Sequence, residues 1–227
     1  MKERPILFST PMIRALLAGT KTQTRRIVKW RGLQSGLNLG FSGLQIERIG
    51  SKWALSSPTR TSHEYRSDPM PCPYGLPGDR LWVREAFRLC AEADATLPRD
   101  TDEAYRIWYE ADAPHQPGFG KLRPGMFMPR WASRLTLEIT GVRVERLNDI
   151  SESDAQAEGI ERVGGEFSCS PWRNYRIGKP GEMSCHCSAK ARSYMTLWES
   201  ISGPGSWTAN PWVWVVEFRR VAEARAA

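Results

Sequence analysis

The run Pro211 to Val221, PWVWVVEFRRV, constrains the fold more than any other segment, because Trp212, Val213, Trp214, Val215, Val216 and Phe218 leave almost no polar face. A half-exposed strand alternates apolar with polar residues; a run this continuously apolar has to be covered on both sides. The rest of the chain must supply the cover. At 227 residues it is long enough to bury one sizeable core, and a single elaborated domain over 1–227 is the expectation.

Other segments supply candidate elements. Arg4 to Ser9 reads as a short first strand. Thr10 as N-cap, Pro11 at the first helical position, Ile13, Leu16 and Leu17 on one face and Gly19 past the end predict a helix. Residues 23–28 follow as a strand. Leu44 to Leu55 alternates around Gly50-Ser51, a small β-hairpin, and Pro69, Pro71, Pro73 and Pro77 make an extended linker. Leu81 to Leu89 and Ala104 to Tyr109 read as strands, and Ser133 to Leu147 as a long one bent at Gly141. A second helix starts at Ser151, whose hydroxyl caps the amide three residues on while Asp154 reaches back, and ends at Gly159. Ala191, Tyr194, Met195, Trp198 and Ile201 mark an amphipathic third helix, stopped by Gly203-Pro204-Gly205. Two stretches, 29–77 and 161–189, are loop-rich insertions.

The most chemically loaded stretch is Gly19-Thr20-Lys21-Thr22-Gln23-Thr24-Arg25-Arg26, which places an amine, a hydroxyl and two guanidinium groups just after a helix stop. Strand alternation puts Thr24 and Arg26 on one face and Arg25 with Ile27 on the other. A second candidate is Glu158, a carboxylate in the last turn of a helix, where the negative end of the dipole disfavours an unpaired anion. Either a structural ion pair with an arginine or a paired site carboxylate answers that requirement.

Written as Gly-x-Lys-x-x-Thr-x-Arg, the first stretch resembles the signature of the ASCH domain family, part of the PUA-like superfamily. Gly78-Asp79-Arg80-Leu81-Trp82-Val83-Arg84 resembles that family's Gly-Asp entry into a barrel strand, and Ile150 to Gly159 its second helix with the glutamate near the end. Within the family the whole chain is most similar to larger, prophage-encoded members. The resemblance implies an α+β fold, a PUA-like small β-barrel with flanking helices, here carrying the two insertions. It also implies an activity: in members that remove the acyl group from N4-acetylcytidine, the functional lysine, threonine and glutamate fall here on Lys21, Thr24 and Glu158.

Hydrolysis of an N-acyl cytosine needs a nucleophile, a donor for the developing oxyanion and an acid for the departing nitrogen. Thr24 is the candidate nucleophile and needs a base. A free lysine, with a pKa of about 10.4, is almost wholly charged at neutral pH, so Lys21 serves as base only if burial and the charges of Arg25 and Arg26 pull it down by several units. In the opposite arrangement Glu158 stabilises the ammonium, accepts the proton itself and leaves Lys21 as oxyanion donor. Arg26 is expected to hold a ribose phosphate or polarise a carbonyl. Phe8, Trp82 and Trp131 are candidate stacking walls, Arg130 beside Trp131 suits a rim loop, and Glu85 is expected to point inward.

Five cysteines, an odd number, argue against a disulfide framework. Cys72, Cys169, Cys185 and Cys187 are candidate ligands of a structural zinc, although their spacing is not that of paired Cys-x-x-Cys knuckles. No other cofactor is required. His63, His115 and His186, the only histidines, lie in presumed loops and give a histidine triad little support. The chain has no run of about 18 apolar residues and no signal-like N-terminus, so no membrane partner and a cytoplasmic location are expected. A net charge of +7 and ten tryptophans fit a nucleoside or modified cytosine substrate, or RNA. Three classes of function follow: an amidohydrolase acting on N4-acylated cytosine nucleosides, a non-catalytic RNA- or modified-base-binding module, and a ribonuclease using Lys21, Arg26 and Glu158. The sequence does not set the oligomeric state.

Overall fold

The computed structural model describes residues 1–32, 43–57, 67–112, 118–163, 171–176 and 189–221. The sheet elements are β1 (Glu3–Leu7), β2 (Gln23–Ile27), β3 (Gln45–Ile49), β4 (Lys52–Ser56), β5 (Met70–Pro71), β6 (Arg80–Arg84), β7 (Phe87–Leu89), β8 (Ile107–Tyr109), β9 (Thr136–Arg146) and β10 (Trp212–Val221). The α-helices are α1 (Thr10–Leu17), α2 (Glu152–Ala157) and α3 (Lys190–Ser202). The chain is thus a β-rich α+β protein. No helix among the described residues is long and apolar enough to cross a membrane.

Five strands form the main sheet in the order β1-β6-β9-β10-β2, with β1 parallel to β6 and the other pairs antiparallel. The continuously apolar C-terminal run, β10, lies inside this sheet, and its two faces enter different clusters. Trp214, Val216 and Phe218 pack with Ile6, Ile13, Leu16, Leu137 and Ile139 on one side. On the other, Val213 and Val215 meet Ala155, Tyr194, Leu197 and Trp198 of α2 and α3. Opposite Gly141 the register of β9 and β10 shifts between Glu217 and Phe218, a bulge where a Cβ on Gly141 would lie 2.5 Å from Glu217 Oε2.

Several expectations change. Among the described residues the ladder does not close into a barrel: β1 and β2 are the two edges, spanned by a side chain, with Arg26 Nη2 donating to the Leu7 carbonyl at 2.6 Å. The α1 N-cap is Ser9 rather than Thr10. The hairpin of the first insertion forms as β3 and β4 around Gly50, which has a positive φ, and it contributes to the core. Trp53, Ala54 and Leu55 are buried, and Trp53 meets Trp214 edge-on with ring centroids 5.1 Å apart. Met70 and Pro71, expected in a linker, add the short strand β5 to it. The run Leu81 to Leu89 is split between β6 and β7; β7 leaves the main sheet to pair with β8 over a third cluster of Phe87, Leu89, Ala93, Met128 and Ala132.

Candidate active site

Helix α2 starts as its sequence predicts, with the Ser151 hydroxyl accepting from the Asp154 amide at 3.1 Å. Asp154 does not reach back; its carboxylate turns to Arg25 and Arg143. Glu158 is the C-cap residue, and Gly159 follows at φ +82°. The helix end is docked onto the turn between α1 and β2: the Thr22 amide donates to the Ala157 carbonyl at 2.8 Å, and Lys21 forms an isolated antiparallel bridge with Glu158. Two segments more than a hundred residues apart thereby bring the lysine and the glutamate together.

Their side chains make a buried ion pair, Lys21 Nζ to Glu158 Oε2 at 2.9 Å, with side-chain exposures of 0% and 1%. The same ammonium donates to the Glu158 carbonyl oxygen at 2.8 Å, which satisfies an orphan acceptor at the helix end. The other carboxylate oxygen receives Arg25 Nη1 at 3.1 Å. Arg25 is held in turn by Glu145 and Asp154. Glu158 therefore has its required compensation twice over, from a lysine and from an arginine. Burial draws the Lys21 ammonium below the ordinary lysine value, with Glu158 opposing the shift and Arg26 and Arg25 adding to it.

Beside this pair lies a cavity of about 250 Å³ lined by Thr24, Arg25, Arg26 and Glu158 together with Met12, Tyr74, Tyr194 and Trp198. Thr24 is 1% exposed and its hydroxyl makes no hydrogen bond among the described residues. Lys21 is not on the cavity wall; it stands behind Glu158. The carboxylate borders the cavity, and the lysine holds the carboxylate.

Arg25 lies on the face opposite Thr24 and Arg26, as alternation predicts, paired with Val215 and beside the Tyr194 ring. Because β2 is a sheet edge, residues from both of its faces border the same cavity, and the Arg25 guanidinium reaches Glu158. Tyr194 and Trp198 come from α3, whose amphipathic pattern marks them as packing residues only. Burial raises the Tyr194 phenol well above its ordinary value, with Glu158 adding to the shift against Arg25 and Arg26, so it stays protonated and can donate.

The other expected residues lie elsewhere. Phe8 is close, with Lys21 Nζ and the Arg26 guanidinium each 5.5 Å from its ring centroid, yet it belongs to the core rather than to the cavity wall. Trp82 lies on the alternate face of β6, with the guanidinium groups of Arg84 and Arg130 at 4.5 and 5.9 Å from its ring centroid. Trp131 packs against the third cluster. Glu85 does point inward, but into a two-pronged pair with Arg134, whose guanidinium also holds Asp112. Burial raises the Glu85 carboxyl against the pull of Arg134. Of the four candidate zinc ligands, Cys72 is a buried free thiol, while Cys169, Cys185 and Cys187, like all three histidines, lie outside the described residues. No group of three or more potential ligands assembles among the described residues.

No protein-family model, curated protein or solved structure matches the chain.

Proposed function

We propose that the chain is an amidohydrolase that removes the acyl group from N4-acylated cytosine nucleosides in the cytoplasm, on an ASCH-type, PUA-like fold. The observation that carries this reading is the convergence of Thr24 and Glu158 on one cavity, with Lys21 fixing the carboxylate from behind. Those are the three positions at which the chain resembles the deacylating members of that family. The docking of the α2 end onto the turn before β2 and the Arg26 bridge between the edge strands support the fold assignment.

In this mechanism the Thr24 hydroxyl oxygen adds to the acyl carbonyl carbon while its proton passes to Glu158. The Tyr194 phenol donates to the oxyanion. Collapse breaks the C–N4 bond, and the proton on Glu158 goes to the departing nitrogen. Water then cleaves the acyl ester on Thr24, giving one proton to Glu158, which returns it to the threonine oxygen. The net change is amide plus water to carboxylic acid plus amine. Lys21 and Arg25 each occupy one carboxylate oxygen, leaving a second lone pair on each for proton transfer. Incubation with N4-acetylcytidine, followed by chromatography for cytidine, tests the proposal; release that is absent, or that persists in Thr24→Ala, defeats it.

A second reading, a non-catalytic RNA-binding module, is favoured by one observation. Trp82 with Arg84 and Arg130 lies near the exposed Met126, whose carbonyl accepts from Arg84, and Phe127 follows it at 56% exposure. A steep loss of RNA affinity with ionic strength is the result that this reading requires.

A further inference from the structure

We propose that the cavity takes its substrate as a nucleotide, with the acylated base on the floor and a phosphate held at the mouth by Arg26 and Lys29. This inference rests on the deacylase reading for the identity of the base, and on separate observations for the anion. The buried wall residues, Thr24, Arg25, Glu158, Tyr194 and Trp198, define the floor; Ile27, Lys29 and Ile201 are exposed and define the mouth. A volume of about 250 Å³ lies just below the usual range for ligand pockets. With the base on the floor, the sugar and phosphate are directed to the mouth.

The charges on the wall are unequal in their pairing. Arg25 is neutralised by Glu158, Glu145 and Asp154. Arg26 has no carboxylate partner among the described residues; its one hydrogen bond goes to the Leu7 carbonyl, and its buried Nε has no partner at all. Lys29, exposed at the end of the same segment, has no ion pair among the described residues either. Two unpaired cations therefore follow the nucleophile along one segment. Arg26 is two residues beyond Thr24, roughly 7 Å along a strand, comparable with the span from the exocyclic nitrogen of cytosine to its sugar. A guanidinium without a carboxylate partner and a flexible ammonium are groups well suited to a phosphate. Thr24 and Glu158 together explain hydrolysis, but neither explains why the mouth is cationic.

The test measures binding, so its outcome is independent of turnover. Cytidine 5′-monophosphate and cytidine are titrated into the protein by calorimetry at low and high salt, with inorganic phosphate and N4-succinylcytidine as further arms. We expect the monophosphate to bind at least about tenfold more tightly than cytidine at low salt, with the advantage shrinking as salt screens the contact. Lys29→Glu, an exposed position, should erase the advantage of the monophosphate over cytidine; Arg26→Gln should reduce that ratio as well if its melting temperature shows it folded. Equal affinity for nucleotide and nucleoside overturns the proposal, and so does binding of neither. Tighter binding of N4-succinylcytidine than of the monophosphate also overturns it, by assigning the cations to an acyl carboxylate. Failure of N4-acetylcytidine hydrolysis with the phosphate advantage intact would sink the deacylase reading and leave the anion site standing.

Discussion

The Lys21 ammonium lies 2.9 Å from Glu158 Oε2 and 2.8 Å from the Glu158 backbone oxygen, so one buried cation fixes both the carboxylate and the end of the helix that carries it. Arg25 takes the opposite carboxylate oxygen and continues the chain of charges outward through Glu145 and Asp154 to Arg143 and Glu217. Among the described residues Glu158 is the one carboxylate between two buried cations. The orientation of the group that borders the cavity is thus set by one contact behind it, from Lys21, and one on the cavity wall, from Arg25.

The two partners of that pair should therefore differ in what their loss does. Glu158→Gln leaves Lys21 and Arg25 buried without their shared counter-charge and is expected to cost about 3–5 kcal/mol in urea unfolding. Lys21→Met leaves Glu158 still paired with Arg25 and should cost distinctly less. Equal losses would mean that the charges are not coupled in this way.

Thr24 offers a cleaner test of chemistry, because its hydroxyl makes no hydrogen bond among the described residues and the residue sits in a regular ladder opposite Val216. Thr24→Val keeps the shape and the strand preference, so the melting temperature should hold within a few degrees. Cytidine release from N4-acetylcytidine should fall by roughly two orders of magnitude or more. A variant that keeps its activity would remove Thr24 as nucleophile.

Local signals in the sequence carry the parts of this arrangement that depend on a few neighbouring residues. Ser151 and Gly159 delimit α2, Gly50 turns the hairpin, and the run from Trp212 is buried on both faces, each as expected. Lys21 and Thr24 follow the helix stop at Gly19. What depends on packing between distant segments is not legible: Arg25 joins Glu158 because the end of α2 docks on the turn before β2, and Tyr194 enters the site because α3 folds across α2. Trp53 illustrates the same limit, since its alternation predicts a hairpin, while its burial against Trp214 depends on a strand at the other end of the chain.

Gly159 is a point where local geometry and the site coincide. Its φ of +82° disfavours any side chain, and an added Cβ would lie 2.7 Å from Ala15 Cβ and 2.9 Å from Lys21 Cβ. Gly159→Ala should therefore destabilise the protein by at least about 1 kcal/mol from backbone strain alone, with the contact on Lys21 adding to it. A loss of deacylation larger than the loss of folded protein would show that the Lys21 position matters to the chemistry. Gly203, also at positive φ but with nothing within 4 Å of an added Cβ, supplies the control: Gly203→Ala should show the backbone cost with no effect on activity.

The outer end of the charge chain predicts how the fold responds to acid. Burial works to raise the Asp154 carboxyl, but Arg25 and Arg143 outweigh it, assisted by the Ser151 hydroxyl, and hold it below its ordinary value of 3.8. A carboxyl depressed in the folded state contributes stability that is fully present above its unfolded pKa and is lost as the pH falls through the folded one. Between about pH 5 and about pH 3 the wild-type protein should therefore lose more stability than Asp154→Asn, which starts lower and has no such group to titrate. Arg25 keeps Glu145 and Glu158 in that variant, so it should still fold at neutral pH. Urea unfolding at the two pH values decides the matter: parallel losses in the two proteins would mean that Asp154 is not held by the arginines in solution, and that Arg25 is positioned by Glu145 and Glu158 without it.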